Sequence, residues 1–94
     1  MFIRQLGSIL PMEDMPKVVA ANLRRLRKDR KLTQEELAHL ADIDRSYLGA
    51  IERGQYKLTV VTLGRLAKAL RVLPSALVEL PEDHPLLLEI APAS

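Results

Sequence analysis

Apolar residues recur every three or four positions through most of the chain, with polar residues between them. Val19, Leu23 and Leu26 follow this spacing, and so do the apolar positions of residues 63–70. Such spacing places the apolar side chains on one face of an α-helix. Pro16 fits the first turn of a helix, because that turn does not need its N–H group. The pattern therefore predicts four or five short helices joined by brief connections.

Capping residues mark the expected helix ends. Thr33-Gln-Glu-Glu36 has the sequence of a capping box, in which two side chains satisfy two free backbone N–H groups. Asp44 and Thr59 are expected N-cap residues of the third and fourth helices. Gly54 is expected just past the end of the third helix. A short fifth helix is predicted from Pro74 to Leu80, before the next proline ends it.

Together these elements predict an all-α fold, a compact bundle of five short helices. We expect an N-terminal arm over residues 1–14, a helical domain over 15–80 and an acidic, apolar C-terminal tail over 81–94. Residues 34–53 form two capped helices separated by a turn of three or four residues. This is the spacing of a helix-turn-helix, whose second helix lies in the major groove of DNA.

Four separated segments resemble the XRE/Cro-like helix-turn-helix regulators. They are Leu32–Ala38, Ile43–Leu48, Ile51–Gly54 and Leu63–Leu70, and the resemblance runs from about residue 23 to residue 80. The second and third segments are also similar to the controller proteins of restriction–modification systems. The resemblance implies a lambda repressor-like DNA-binding domain. It also implies a transcriptional regulator, which we expect to bind near-palindromic operators as a dimer.

The predicted recognition helix, residues 44–53, has an outer face of distinct chemistry. With Leu48 and Ile51 facing inward, a turn of 100° per residue directs four residues outward. These are Ser46, Gly49, Ala50 and Arg53. Arg45, in the exposed first turn, offers a fork of N–H donors that matches guanine O6 and N7. The resemblance implies that four residues lie near the bases: Asp44, Arg45, Ser46 and Ala50.

A second group of residues is expected against the DNA backbone. Its members are Gln34, Tyr47, Arg53, Tyr56, Lys57 and Lys28. The resemblance implies that Gln34 contacts a phosphate at the amino end of its helix, where N–H donors and the helix dipole favour an anion. For several residues a simpler role stays open: Gln34 as helix filler, Ser46 as a helix-start residue, Tyr56 and Lys57 as ordinary loop residues.

Glu52 differs from the outward residues, because it lies only 40° from Leu48 around the helix and so near the buried side. In the family this glutamate pairs with an arginine of the first helix, and the matching residue is Arg27. The resemblance thus implies a structural ion pair between Arg27 and Glu52 rather than a DNA contact.

Three positions depart from the family pattern, which often has glycine there. Lys31, Asp42 and Arg71 stand at these helix ends. Either the connections differ locally, or these residues accept a left-handed backbone, which asparagine and aspartate tolerate better than lysine and arginine. Leu73 also replaces a common capping serine, so the start of the fifth helix is weakly marked.

The charge distribution and the absence of cysteine limit the functions that are compatible with the sequence. The net charge is +2, but it is unevenly spread: residues 22–31 hold six lysine or arginine residues and one acidic residue, while residues 72–94 hold four acidic residues and no lysine or arginine. Such a basic segment is commonly a solvated helix face, and it also suits a polyanionic partner. The chain has no cysteine, which excludes disulfides and thiolate metal sites and suits a reducing cytoplasm of bacterial or phage type.

Several other functions find no support in the sequence. His39 and His84 are far apart and lack partners, and no metal-ligand spacing, phosphate loop or nucleophile motif is present. We therefore expect no enzyme activity, no metal, no cofactor and no small-molecule ligand. No apolar run approaches the length of about 18 residues that a membrane span requires, and the start lacks signal-peptide character.

The expected partners are double-stranded DNA and a second copy of the chain. A single recognition helix contacts few bases, so selective binding favours a homodimer on two half-sites. Leu77, Leu80 and residues 86–90 are apolar and are predicted to form the dimer interface. Alternatively, Leu77 closes the core of the monomer. The rival function is a protein-binding module of the same fold, such as an antitoxin or an adaptor.

Overall fold

The computed structural model describes residues 15–81 of the 94-residue chain. Within this range the chain forms five helices and no strand, which confirms the predicted all-α class. The helices are α1 (Met15–Asp29), α2 (Gln34–Ala41), α3 (Arg45–Glu52), α4 (Val60–Leu70) and α5 (Ser75–Val78). The predicted arm over residues 1–14 and most of the predicted tail, residues 82–94, lie outside the described residues. Among the helices described, none is long and apolar enough to cross a membrane.

The core lies where the apolar faces of all five helices meet. α1 packs against α3 and α5, and α2 packs against α3 and α4. The large side chains without exposed surface are Leu23, Leu37, Leu48, Ile51, Leu66, Leu70 and Leu77. Fully burying one such side chain contributes about 1.5–3 kcal/mol. α2 and α3 are therefore held on both sides by the rest of the bundle.

Leu77 corrects one sequence expectation. Its side chain has no exposed surface, and it belongs to the same core cluster as Leu23 and Leu70. A fully buried side chain offers no surface to a second copy, so Leu77 closes the core of the monomer instead of forming a dimer interface. Leu80, by contrast, stays half-buried at the surface.

The helix boundaries agree with the predicted capping residues, with two differences. Thr33 and Glu36 form the complete capping box, in which the Thr33 hydroxyl accepts from the Glu36 N–H at 3.0 Å and Glu36 accepts from the Thr33 N–H at 2.8 Å. The backbone hydrogen bond from Thr33 holds the pKa of the Glu36 carboxyl below its usual value. Asp44 occupies the N-cap position of α3, but its side chain makes no capping hydrogen bond. α5 spans only Ser75–Val78, shorter than predicted.

The three positions without glycine keep the left-handed backbone. Lys31, Asp42 and Arg71 have φ values of 57°, 56° and 59°, close to the 71° of Gly54. Backbone hydrogen bonds close each turn; the N–H of Ile43, for example, donates to the carbonyl of Ala38 at 3.0 Å. The left-handed conformation costs a non-glycine residue about 1–2 kcal/mol. The backbone is therefore strained at these three turns, and each turn keeps the left-handed conformation that glycine would adopt without strain.

Candidate nucleic-acid interface

A buried carboxylate holds the helix-turn-helix together. Glu52, at the end of α3, is only 3% exposed. Its Oε2 accepts from Arg27 Nε at 2.7 Å, and its Oε1 accepts from Arg27 Nη2 at 3.1 Å. Gln34 Nε2, at the start of α2, donates to the same Oε1 at 3.0 Å, and Arg24 donates to the Glu52 carbonyl. One side chain thus ties together α1, α2 and α3, and its negative charge is paired.

This cluster contains the ion pair that the resemblance implied, together with one member that sequence reasoning placed elsewhere. Gln34 was expected to face a phosphate, but its side-chain amide is bonded to Glu52. Arg27 makes a further hydrogen bond to the carbonyl of Leu32 at 2.9 Å, in the connection before α2. No local signal marks Gln34 as a partner of Glu52, because the two residues are 18 positions apart.

The first turn of α3 is exposed and carries polar groups of both signs. Asp44, Arg45 and Ser46 are all exposed. Arg45 Nε lies 3.9 Å from Glu35 Oε1 of α2, and the two side chains are 64% and 77% exposed. Their N–H donors, carboxylate oxygens and hydroxyl are the groups that form hydrogen bonds with base edges in a major groove.

Ala50 does not lie on the outer face, contrary to the sequence prediction. It is 4% exposed, and Gly49 is also buried. The N–H groups of Arg53 and Gln55 both donate to the Ala50 carbonyl, at 3.2 and 3.0 Å. Because so little of Ala50 is exposed, its methyl group is not available to a base.

The surface above Gly49 is covered by two longer side chains. An ideal Cβ at Gly49 would lie 3.3 Å from Arg53 Nη1 and 3.9 Å from Gln34 Oε1. Arg53, which is exposed, also donates from Nε to Gln55 Oε1 at 3.1 Å. The middle of the outer face of α3 thus presents a guanidinium and an amide oxygen, where the sequence predicted bare small residues.

The other residues expected against the DNA backbone also lie at the surface. Tyr47 is half-buried and packs edge-to-face on Tyr56, with ring centroids 5.9 Å apart and an interplanar angle of 80°. Tyr56 is 55% exposed, and Lys57 follows it in the connection to α4. Lys28 is exposed in the last turn of α1. Among residues 15–81 no group of three or more histidine, aspartate or glutamate side chains is placed to hold a metal ion.

Comparisons with known proteins agree with this geometry. The helix-turn-helix family model HTH_3 matches residues 23–77. The HTH-type transcriptional regulator y4dJ of Sinorhizobium fredii is 42% identical over 72 residues, which cover 77% of this chain and 94% of that protein. The control protein C.SmaI of Serratia marcescens is 40% identical over 57 residues, which cover 61% of this chain and 68% of that protein.

A solved structure shows the same fold. The crystal structure of the restriction–modification controller protein C.AhdI from Aeromonas hydrophila matches with a TM-score of 0.63 and 43% identity, covering 64% of this chain and 91% of that one. The names of these proteins are those of regulators and controllers, which agrees with the prediction that the chain is not an enzyme. The family match takes in more than half of the chain, and its limits enclose α2 and α3 with most of the core. The chain therefore belongs to the XRE-like helix-turn-helix family of DNA-binding transcription regulators.

Proposed function

We propose that the chain binds a near-palindromic operator as a homodimer, with α3 in the major groove, and so controls transcription in a sequence-specific way. The main support for this proposal is the exposed first turn of α3. Its polar side chains extend from a helix whose inner side is locked by Glu52 and Arg27. Donors and acceptors on a rigid helix are what direct contact with base edges requires.

The proposed base contacts come from three adjacent residues. Arg45 is long enough to bind guanine O6 and N7 through two parallel N–H groups. Asp44 makes no capping hydrogen bond, so its carboxylate is available to accept from a cytosine amino group. The exposed Ser46 hydroxyl contacts either a base or a phosphate. Ala50 is left out of this group because it is buried.

The proposed backbone contacts flank the recognition helix. Gln34 is the first residue of α2, so the N–H groups of that turn attract a phosphate while its side chain stays on Glu52. The other members of this group are Tyr47, Tyr56, Lys57 and Lys28. Replacing either lysine by alanine should reduce the slope of log K against log salt by about one unit, equally on all DNA sequences.

The proposed dimer contact uses the apolar surface beside α4 and α5. A groove of about 420 Å³ lies there, and Met15, Leu58, Val60 and Val78 are among its lining residues. Val60 is 84% and Val78 38% exposed, so the apolar lining of this groove remains open to solvent. A two-fold contact over this groove, with the half-buried Leu80 near the end of the described chain, would cover this surface.

Selection of bound sequences from a random DNA pool tests the DNA part of the proposal. We expect an enriched site with two-fold symmetry and half-site centres about 10 base pairs, or roughly 34 Å, apart. A pool without enrichment would reject sequence-specific regulation and favour the protein-binding module.

Sedimentation at micromolar concentration tests the dimer. The wild-type chain should sediment as a dimer, and a variant with Val60→Glu and Val78→Glu should sediment as a folded monomer. Val61→Glu is the matched control, because Val61 is 66% exposed on the same helix but does not line the groove. A monomeric wild type, or a folded double variant that stays dimeric, would show that this surface is not the interface.

A further inference from the structure

The arginine at the end of α3 occupies the position that a side chain at Gly49 would take. Arg53 Nη1 lies 3.3 Å from the ideal Cβ position of Gly49, and Gly49 precedes Arg53 by one helical turn. Helical side chains lean towards the N-terminus of their helix, so this placement follows from ordinary helix geometry. The guanidinium therefore lies over the middle of the outer face, on the side of the first turn where Arg45 and Ser46 are exposed.

Two glutamines lie beside this guanidinium, and one of them is bonded to it. Gln55 Oε1 accepts from Arg53 Nε at 3.1 Å, which leaves the N–H groups of the two terminal nitrogens for a ligand. Gln34 Nε2 is bonded to Glu52, so its Oε1 faces the surface above Gly49, 3.9 Å from the same Cβ position. A donor group and an acceptor thus stand side by side on the surface that α3 presents to DNA.

We propose that Arg53 is a second base-contacting residue, which binds a guanine edge in the major groove from its position over Gly49. The inference rests on the proposed DNA-binding function and changes the expected role of Arg53 from phosphate contact to base contact. A phosphate contact would need only the positive charge on the flank of the helix. Placement over the middle of the face, made possible by the missing side chain of Gly49, suits a planar fork that enters the groove.

The first test asks whether base recognition requires the planar guanidinium of Arg53 or only its positive charge. Arg53→Lys keeps the charge but loses the two parallel N–H groups. We expect it to lose roughly 5- to 100-fold of the discrimination at one base pair of each selected half-site, with the salt dependence nearly unchanged. Binding is measured on the selected operator and on operators with each base pair replaced in turn. Arg45→Ala should lose discrimination at a different base pair.

The second test moves the guanidinium without changing it. Gly49→Ala introduces a Cβ at 3.3 Å from Arg53 Nη1, which is tighter than most Cβ contacts, so the guanidinium must move by a few tenths of an ångström. We expect it to weaken the preference at the same base pair as Arg53→Lys. Gly64→Ala is the matched control: Gly64 lies within α4, and apart from its chain neighbours and the backbone of its own helix no heavy atom lies within 4 Å of its ideal Cβ. Both alanines favour helix, so both variants should fold, which a melting curve checks.

Three results would overturn the inference. Arg53→Ala could weaken all DNA sequences equally and lower the salt slope by about one unit while Arg53→Lys binds as the wild type, which would assign Arg53 to a phosphate. Gly49→Ala could keep the full base preference, which would show that the position over Gly49 does not matter. A wild-type chain with no base preference at all would overturn the proposed function as well, and the random-pool selection reveals this beforehand.

Discussion

Two arginine–glutamate pairs involve opposite ends of the recognition helix, and they differ in burial rather than in chemistry. Arg27 and Glu52 approach to 2.7 Å with side chains 13% and 3% exposed. Arg45 and Glu35 approach to 3.9 Å with side chains 64% and 77% exposed. Two unit charges 4 Å apart in water attract by only about 1 kcal/mol, and exposed pairs contribute about 0–1 kcal/mol to stability.

The comparison explains how one short helix serves both structure and binding. The buried pair cannot lose a partner without leaving a charge away from water, so it organises the fold. The exposed pair breaks at little cost, so Arg45 can exchange its glutamate for a base edge. The same two residue types therefore give a structural contact at the buried end of α3 and an available ligand group in its exposed first turn.

Removal of the buried carboxylate should have the largest effect. Glu52→Ala leaves the Arg27 guanidinium and the Gln34 amide without their acceptor, and we expect a loss of about 3–5 kcal/mol in the free energy of unfolding. Urea denaturation of the wild type and the variant measures it. Asp29→Ala is the control, because Asp29 belongs to an exposed pair with Arg25 at 3.9 Å, and it should change stability by less than about 1 kcal/mol. Similar losses for the two variants would contradict the role of burial.

Removal of the exposed arginine should act on binding instead of folding. Arg45→Ala should weaken the preferred operator by about 1–3 kcal/mol and leave non-specific binding largely intact. Its free energy of unfolding should stay within about 0.5 kcal/mol of the wild type. Titration of the selected operator and of a scrambled duplex measures both affinities. Equal weakening on the two duplexes would mean that Arg45 contacts a phosphate.

The other partner of the exposed pair should matter less for stability. Glu35→Gln removes the charge opposite Arg45 and should change the free energy of unfolding by less than about 1 kcal/mol, because both groups remain in water. Urea denaturation at low and at high salt measures the change. Any loss should shrink as the salt concentration rises. A loss as large as that of Glu52→Ala would show that exposure does not separate the two pairs.

Glu36 is a third glutamate, which is exposed like Glu35 but accepts a hydrogen bond from the backbone. Its replacement should have the smallest effect of these substitutions. Glu36 is exposed, yet the Thr33 N–H holds its pKa below the usual value. Because the pKa of Glu36 is lower in the folded state, its contribution is present above the unfolded pKa of about 4.3 and is lost as the pH falls through the folded value. Melting temperatures of the wild type and Glu36→Gln between pH 7 and pH 3 measure this. The wild type should lose its advantage on acidification, and a constant difference would contradict the assignment.

The features that depend on neighbouring residues could be predicted from the amino-acid sequence. The three- and four-residue spacing located the first four helices, and the capping box at Thr33 and Glu36 marked the start of α2 to the residue. The distance around the helix put Glu52 near the buried side, and the family register supplied Arg27 as its partner. These inferences succeed because helix periodicity and capping act within a few residues of the chain.

Features that depend on residues distant in the sequence could be seen only in the folded chain. Ala50 is buried by contacts with other parts of the chain, and Leu77 is buried because α5 packs on α1. A helical wheel describes one isolated helix, so it cannot show that other parts of the chain bury these two side chains. Gln34 bonds to Glu52 across 18 residues, and Arg53 lies over Gly49 with Gln34 beside it. Packing of one helix against another sets such positions, so they become visible only when the helices are assembled.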